Sequence, residues 1–141
     1  MQKVISNSAA LCVALAMHQG AHAQGLAGIS GERSGITAVA KHVFDDPTLP
    51  GKEFRVLHTT YAPGGQNPKH YHPSHVIFYV LEGSGVWQEE GKEAVILKPG
   101  DSLHVRPGMV HAHRNASNTE RLVFLEYVIV DKAQRSTVPM R

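Results

Sequence analysis

The sequence predicts an all-β, single-domain protein built as an antiparallel sandwich or barrel. Between Glu53 and Val130, short β-branched and aromatic runs alternate with turns rich in Gly, Pro, Asn and Asp, as in consecutive short strands. No stretch has the 3.6-residue apolar period of an amphipathic helix. The chain of 141 residues lies within the size range of one domain.

The first 23 residues have the pattern of a cleavable secretory signal peptide. A basic start at Lys3 precedes an apolar segment, residues 9–17, and an A-x-A cleavage site formed by Ala21 and Ala23. The apolar segment is shorter than the roughly 20 residues that a membrane-spanning helix needs. We therefore expect a mature chain that begins near Gln24, is periplasmic or secreted, and is not bound to a membrane after cleavage.

Cysteine and charge narrow the range of functions. The single cysteine, Cys12, lies inside the predicted signal peptide, so the mature chain would have neither a disulfide nor a thiolate ligand. The formal net charge is +2, and loss of Lys3 lowers it to +1. This balance gives no electrostatic reason to expect nucleic acid or an anionic membrane as partner. Histidine, by contrast, is abundant after residue 23, at positions His42, His58, His70, His72, His75, His104, His111 and His113.

The elements follow in order after the signal peptide. Residues 24–45 are predicted to form a flexible N-terminal arm, rich in Gly and Ser up to Thr37 and with a short strand over 38–44. The predicted barrel covers residues 46–132, and residues 133–141 form a C-terminal tail. The strands of the barrel are predicted over residues 53–61, 76–81, 86–89, 93–97, 102–105, 110–114 and 121–130, with a loop over residues 62–69.

Two histidines one residue apart, His70 and His72, precede the apolar strand predicted over residues 76–81. Side chains at i and i+2 of a strand point to the same face, so both imidazoles are directed toward one point. His111 follows about forty residues later and would supply a third imidazole once the strands are folded together. Three imidazoles suit Fe, Mn, Ni, Cu or Zn and leave coordination positions open for water or substrate.

These two histidine segments resemble the two sequence motifs of the cupin superfamily, in particular of small quercetinase-like cupins. The family motifs are G-x5-H-x-H-x3-4-E-x6-G and G-x5-P-x-G-x2-H-x3-N. The matching residues are Gly64, His70, His72 and Gly83 in the first and Gly100, Gly108, His111 and Asn115 in the second. The resemblance covers about residues 53–130. It implies a jelly-roll β-barrel with a divalent metal held in its mouth by the three histidines.

Two positions depart from the family motifs. Val76 stands where the family has its metal-binding glutamate, and Arg106 stands where it has a proline, with Pro107 one place later. Pro107 still suits the turn that this position requires. The missing carboxylate is compatible with an enzyme, because three-histidine sites without glutamate are known in some cupin thiol and diketone dioxygenases. It is equally compatible with a site that binds metal without turnover.

Three further residues are candidates for the chemistry that the missing glutamate leaves open. His75 has the opposite strand parity to Val76, so it is a fourth metal ligand only if a bulge turns it inward, and otherwise a surface or interface histidine. His113 shares the face of His111 and is a candidate general base or hydrogen-bond donor, or else a pocket histidine with a satisfied partner. Glu126 interrupts an apolar strand face and is a candidate catalytic or metal-binding carboxylate, unless that face is exposed to solvent.

The aromatic residues, Trp87 among them, are assigned to packing. The first functional hypothesis is a metal-dependent dioxygenase that acts on a small chelating phenol, enol or diketone, with metal-assisted isomerisation or hydrolysis as the next option. The second is a non-catalytic module that binds a metal or a small ligand. The amount of apolar strand surface predicts a homodimer.

Overall fold

The computed structural model describes residue 29 and residues 32–140, and the predicted signal peptide lies outside them. The described residues form nine strands, which are β1 (Ser34–Phe44), β2 (Lys52–Tyr71), β3 (Val76–Glu82), β4 (Gly85–Glu89), β5 (Val95–Leu97), β6 (Ser102–Val105), β7 (His111–Asn115), β8 (Leu122–Asp131) and β9 (Val138–Pro139). No helix among them has the length and apolar character that crossing a bilayer requires.

The strands form one sheet that curls into a nearly closed barrel. Its hydrogen-bonded order is β5-β4-β7-β2-β8-β3-β6, and β1 and β9 also pair with β2. Every pairing is antiparallel, including the long register between β2 and β8 from Lys52–Asp131 to Tyr61–Leu122. The all-β antiparallel barrel that the sequence predicts is therefore confirmed.

The side chains of β3 and β8 alternate between the barrel interior and its outer surface. On β8 the alternating buried residues are Leu122, Phe124, Glu126, Val128 and Val130, with Val123 also buried, and on β3 the buried residues are Val76, Phe78 and Val80. Their neighbours Ile77, Tyr127 and Ile129 point outward and are 46%, 44% and 42% exposed. The alternation follows the two-residue period of a strand. It places Glu126 inside the barrel, so the alternative of a solvent-facing carboxylate is wrong.

Strand β2 is longer than predicted. It runs through the segment 62–69 that is predicted as a loop, and it changes partner within that segment. Its first half pairs with β8, and its second half pairs with β7 and β9. The Pro and Gly residues that indicate a loop instead mark the corner at which one strand passes between two parts of the barrel. Gly64 lies at this corner with a φ of 69°.

Asn115 holds this corner together. Its amide nitrogen donates to the carbonyls of Ala62 and Glu120 at 3.1 and 2.7 Å, and its side-chain oxygen accepts from the Ser117 amide at 2.9 Å. The Gly64 amide donates to the carbonyl of Ser117 at 2.9 Å. The motif asparagine therefore connects β2 to the turn after β7 and has a structural role.

Two strand predictions outside the predicted barrel are corrected. Strand β1 begins at Ser34, not at residue 38, because its pairing with β2 extends to the corner at Gln66. The predicted C-terminal tail contains a strand, since Val138 and Pro139 pair with Tyr71 and His70. This tail pairing fixes the chain beside the histidine-bearing end of β2.

Gly83 provides a stability prediction, because its φ is 73° and an added Cβ would lie 2.3 Å from the Arg121 carbonyl oxygen. Gly91 is the matched control, with a φ of 77° and nothing within 4 Å of an added Cβ. We expect Gly91→Ala to cost about 1–2 kcal/mol from backbone strain alone, and Gly83→Ala to cost about 2 kcal/mol more. Urea denaturation measures both. Equal losses would show that the carbonyl contact at Gly83 contributes nothing.

Candidate metal centre

Four histidine side chains meet inside the barrel where β2 ends and β7 begins. His70 lies directly opposite His111 in the β2–β7 pairing. His72 follows the end of β2, and its carbonyl accepts a hydrogen bond from the Gly108 amide at 2.9 Å. The exposed fractions of His70, His72, His111 and His113 are 1%, 1%, 0% and 7%. The fold thus brings together the three histidines selected from the sequence as ligands, and adds His113 beside them.

Backbone carbonyls fix the orientation of three of these rings. The Nδ1 atoms of His70, His72 and His111 lie 2.7, 2.6 and 2.8 Å from the carbonyl oxygens of Pro68, Ser136 and Met109. A carbonyl oxygen can only accept, so each Nδ1 carries the proton and donates it. Each Nε2 is therefore the unprotonated nitrogen, which is the tautomer that a metal ligand needs. The Nε2 of His70 lies 3.3 Å from the side-chain nitrogen of Asn67, which can donate to it.

Two of these Nε2 atoms lack any hydrogen-bond partner. The Nε2 atoms of His72 and His111 are buried and accept no hydrogen bond from the described residues. The ring centroids of His70, His72 and His111 are 4.2–5.2 Å apart. Buried polar atoms are rarely left without a partner in folded proteins. A divalent metal would satisfy both lone pairs, so these residues fit a metal centre.

Burial keeps the cluster neutral. Desolvation, together with the charges of neighbouring histidines, lowers the pKa of His70 to about 4 and that of His111 to about 2. Desolvation also lowers the pKa of His72, and it lowers the pKa of His113 well below the ordinary value. Imidazole must be neutral to bind a metal. The cluster is therefore in its ligand-competent form at neutral pH.

A different set of three possible ligands in this cluster has His113 in place of His72. The ligand atoms of His70, His111 and His113 all lie within 4.8 Å of one another. The Nε2 atom of His113 is also 3.4 Å from the hydroxyl of Tyr61. No backbone carbonyl of the described residues orients this ring in the way found for the other three. The hydrogen-bond pattern thus favours His72 as the third ligand, whereas proximity alone favours His113.

Aromatic rings form the wall of the cluster. Trp87 stacks on His111 and His113 with centroid separations of 4.1 and 5.2 Å. Phe78 lies on the other side, 6.0 Å from His72 and 5.7 Å from His113. The sequence predicts a packing role for these residues and does not reveal their contact with the site. Trp87 reaches His113 because the two are register partners in the β4–β7 pair, and that register is not readable from the sequence.

A sizeable cavity lined by described residues reaches the cluster at His70. It has a volume of about 430 Å³ and is lined by Glu32, Arg33, Asn67, Pro68, Lys69, His70, Arg135, Thr137, Pro139 and Met140. Its walls come from the chain before β1, the end of β2 and the chain around β9. A second cavity touches the cluster at His113, but its volume of about 20 Å³ is no larger than a water molecule needs. A substrate would therefore approach along His70.

Comparison with known proteins decides the family. The family model described as "Cupin domain" matches residues 57–129, which is more than half of the chain. This protein is a cupin. The match runs from β2 to β8 and contains every histidine of the cluster. The resemblance noted in the two histidine segments is thereby confirmed.

Relatives of this cupin include proteins of different activity. Over 72 residues it is 36% identical to quercetin 2,3-dioxygenase of Bacillus subtilis (strain 168), a match that covers 50% of this chain and 21% of that relative. It thus spans about a fifth of that relative's length. A cupin-like protein from Thermotoga maritima is 32% identical, with a TM-score of 0.55 and coverage of 66% of this chain and 67% of that one.

Another structural relative is an enzyme with a different activity. The DMSP lyase DddQ from Ruegeria pomeroyi is 25% identical, with a TM-score of 0.53 and coverage of 60% of this chain and 42% of that one. Cupin relatives therefore act on small molecules, and relatives of similar fold carry out different reactions.

Val76, at the position of the missing glutamate, and its neighbour His75 lie on opposite sides of the barrel wall. Val76 is fully buried, so the position that carries the cupin glutamate faces the barrel interior. His75 is exposed on the outside, where its Nδ1 lies 2.9 Å from Nε2 of His104. No bulge turns His75 inward, and its side chain lies outside the buried cluster. The prediction of a fourth ligand at His75 is therefore wrong on geometry.

Glu126 is buried but is not a member of the donor cluster. Its carboxylate accepts a hydrogen bond from the Thr59 hydroxyl at 2.6 Å. Burial raises the pKa of Glu126, and the hydrogen bond from Thr59 opposes that shift. Among the described histidines and carboxylates, the group with ligand atoms in mutual reach does not include it. Glu126 acts on Tyr61 instead, since its charge adds to the burial that raises the pKa of Tyr61.

These pKa shifts predict how stability depends on pH in the metal-free protein. Below the ordinary histidine pKa of 6.5, the unfolded chain binds protons that the buried cluster does not bind. The folded protein therefore loses stability as the pH falls from 6.5 toward the pKa values of the folded state, which are about 4 for His70 and about 2 for His111. Each histidine contributes up to about 1.4 kcal/mol per pH unit in this window. The contribution of Glu126 to this pH dependence has the opposite sign, because the pKa of Glu126 is raised on folding. The combined contribution of the four histidines is larger than that of Glu126.

We therefore expect the urea midpoint of the metal-free protein to fall steeply between about pH 6.5 and about pH 5. His42→Gln is the control, because His42 is exposed on β1 and outside the cluster. That variant should keep the wild-type slope, whereas His111→Asn should flatten it. A midpoint that stays constant across this window would contradict a neutral buried cluster.

Proposed function

We propose that this cupin binds one divalent transition metal through His70, His72 and His111 and uses it as a dioxygenase of small chelating phenols, enols or diketones. One observation supports the proposal. The Nδ1 atoms of His72 and His111 donate to backbone carbonyls, and their buried Nε2 atoms have no hydrogen-bond partner among the described residues. The similarity to quercetin 2,3-dioxygenase supports the substrate class. Fe, Mn, Ni, Cu and Zn all suit three imidazoles.

The bound metal would act as a Lewis acid toward substrate oxygens and, if redox-active, would supply electrons for reaction with O2. The remaining work falls to the protein. The carbonyls of Pro68, Ser136 and Met109 hold the ligand rings in place. Trp87 and Phe78 cover the cluster with apolar surface and limit access of water from the barrel interior.

His113 is proposed as a hydrogen-bonding residue of the site. Its ring is buried next to His111, and burial lowers its pKa, which keeps the ring neutral and makes its protonated form unfavourable. The nearby Tyr61 keeps its own proton, because burial and the charge of Glu126 raise its pKa. The proposed role of Glu126 is therefore electrostatic: its charge helps to keep the Tyr61 hydroxyl protonated, and it is not part of the group of ligand atoms in mutual reach.

Metal analysis and oxygen uptake decide between the proposal and its alternatives. We expect close to one transition metal per chain in the purified full-length protein and O2 consumption with a catechol, flavonol or β-diketone. Stoichiometric metal without O2 uptake would favour a non-catalytic binding module. Conversion of a substrate without O2 consumption would favour metal-assisted isomerisation or hydrolysis. A protein that binds none of the five metals would refute every metal-dependent version and leave only a module that binds a small ligand without metal.

The protein is further proposed to be exported, with cleavage after Ala23. The basic start, apolar segment and A-x-A site of the first 23 residues support this. Mass spectrometry of the protein recovered from the periplasm or medium should show an N-terminus at Gln24. Recovery of the uncleaved chain from the cytoplasm would contradict export.

A homodimer is proposed on the outer face of β1, β3 and β8. Exposed apolar side chains cluster there, among them Val43 (55%), Phe44 (51%), Ile77 (46%), Tyr127 (44%) and Ile129 (42%). Contiguous apolar surface of this kind commonly marks an interface. We expect a dimer by light scattering at micromolar concentration and a dimer dissociation constant raised more than about tenfold in Tyr127→Lys. A monomeric wild-type protein would refute the interface.

A further inference from the structure

The cavity beside His70 is where a substrate would meet the cluster, and its size suits a small molecule. Its volume is about 430 Å³, within the range of roughly 300–1,000 Å³ that is usual for ligand pockets. The chain before β1 contributes Arg33 and the chain after β8 contributes Arg135, so two arginines reach the cavity from separate segments. His70 is the cluster residue that lines the same cavity.

The side chains that line the cavity carry a net positive charge. Lys69 is neutralised by Glu90, with a 2.7 Å distance between its Nζ and the carboxylate. Arg33 and Arg135 form no ion pair among the described residues, and Glu32 is the one carboxylate in the lining. At least one positive charge therefore remains for a ligand to compensate.

Arg33 and His70 line the same cavity, so the positive charge of the guanidinium group lies in the space that leads to the cluster. This charge favours a negative group placed between Arg33 and His70. The planar guanidinium group forms paired hydrogen bonds with a carboxylate, which a lysine ammonium cannot do.

We infer that the substrate is a small organic acid whose carboxylate is bound by Arg33 and Arg135, while its chelating oxygens face the cluster at His70. This inference rests on the proposed function and narrows its substrate class. The two guanidinium groups would orient the acid with its chelating end inward. Neutral phenols and diketones would lack this anchor and bind more weakly.

The experiment compares 3,4-dihydroxybenzoate with 3,4-dihydroxybenzamide, which differ in charge and hardly in shape. Calorimetric titration of the zinc-supplied full-length protein avoids turnover, because zinc is not redox-active. We expect the acid to bind at least about tenfold more tightly than the amide. In the double variant Arg33→Gln/Arg135→Gln this ratio should fall to about 1, with the affinity for the amide unchanged.

The control is Arg106→Gln/Lys41→Gln, which has the same net charge as the test variant but changes exposed residues outside this cavity. It should keep the wild-type ratio. Equal binding of acid and amide by the wild type, or an unchanged ratio in the test variant, would overturn the inference. Absence of binding by both compounds would overturn it too. Failure of the metal proposal is measured separately, by metal content and oxygen uptake.

Discussion

His72→Ala should purify without stoichiometric metal, whereas His113→Ala should retain most of it. The reason is the difference in how the two rings are held. A carbonyl holds Nδ1 of His72, and its Nε2 is buried without a partner, whereas Nε2 of His113 already contacts the Tyr61 hydroxyl. We expect the loss at His72 to exceed about 100-fold in metal affinity, because even loss of a residue that only supports a ligand costs about 10–100-fold.

Chelator competition measures the two affinities, and elemental analysis measures the metal content. His75→Ala is the control, because its ring lies outside the barrel beside His104, and it should bind metal like the wild type. The reverse result, with metal lost in His113→Ala and kept in His72→Ala, would assign the centre to His70, His111 and His113. The ligand atoms of that group lie within 4.8 Å of one another, so the geometry makes this outcome a real competitor.

The strands were predictable where the local pattern is enough to define them. The apolar run of β3 and the alternating residues of β8 have clear strand signals, and the observed strands begin within one residue of the predicted ones. The corner of β2 was not predictable, because Gly64 and Gly65 indicate a loop locally. The strand continues because its second half pairs with β7 and β9 and because Asn115 fixes the corner at Ala62, and these are tertiary contacts.

The site was partly predictable for the same reason. The spacing of His70 and His72 fixes their shared face, and the second motif supplies His111. The carbonyl partner of His72, at Ser136, is 64 residues away and belongs to a segment predicted as a plain tail. Likewise, the stacking of Trp87 on His111 depends on the register of two strands that the sequence does not specify.

Val76→Glu should restore the missing cupin carboxylate at a large cost to the metal-free protein. Val76 is fully buried and faces the interior between its register partners Val105 and Val128. An unpaired carboxylate placed there should destabilise the metal-free protein by about 3–5 kcal/mol. The family resemblance implies that this carboxylate reaches the metal. Metal should therefore recover much of the loss, since a ligand at about 100 times its dissociation constant contributes about 2.7 kcal/mol.

Val80→Glu is the control for burial, because Val80 lies on the same strand and face and is also buried. At about 3.3 Å per residue its side chain is displaced by about 13 Å along the strand from position 76, where it lines the small cavity at His113 and not the position of the cupin glutamate. Val76→Gln controls for size without charge. Denaturation midpoints with and without zinc should show a larger metal-dependent gain in Val76→Glu than in wild type or either control. If the gain matches that of Val80→Glu, position 76 does not face the metal, and the three-histidine site lost no ligand there.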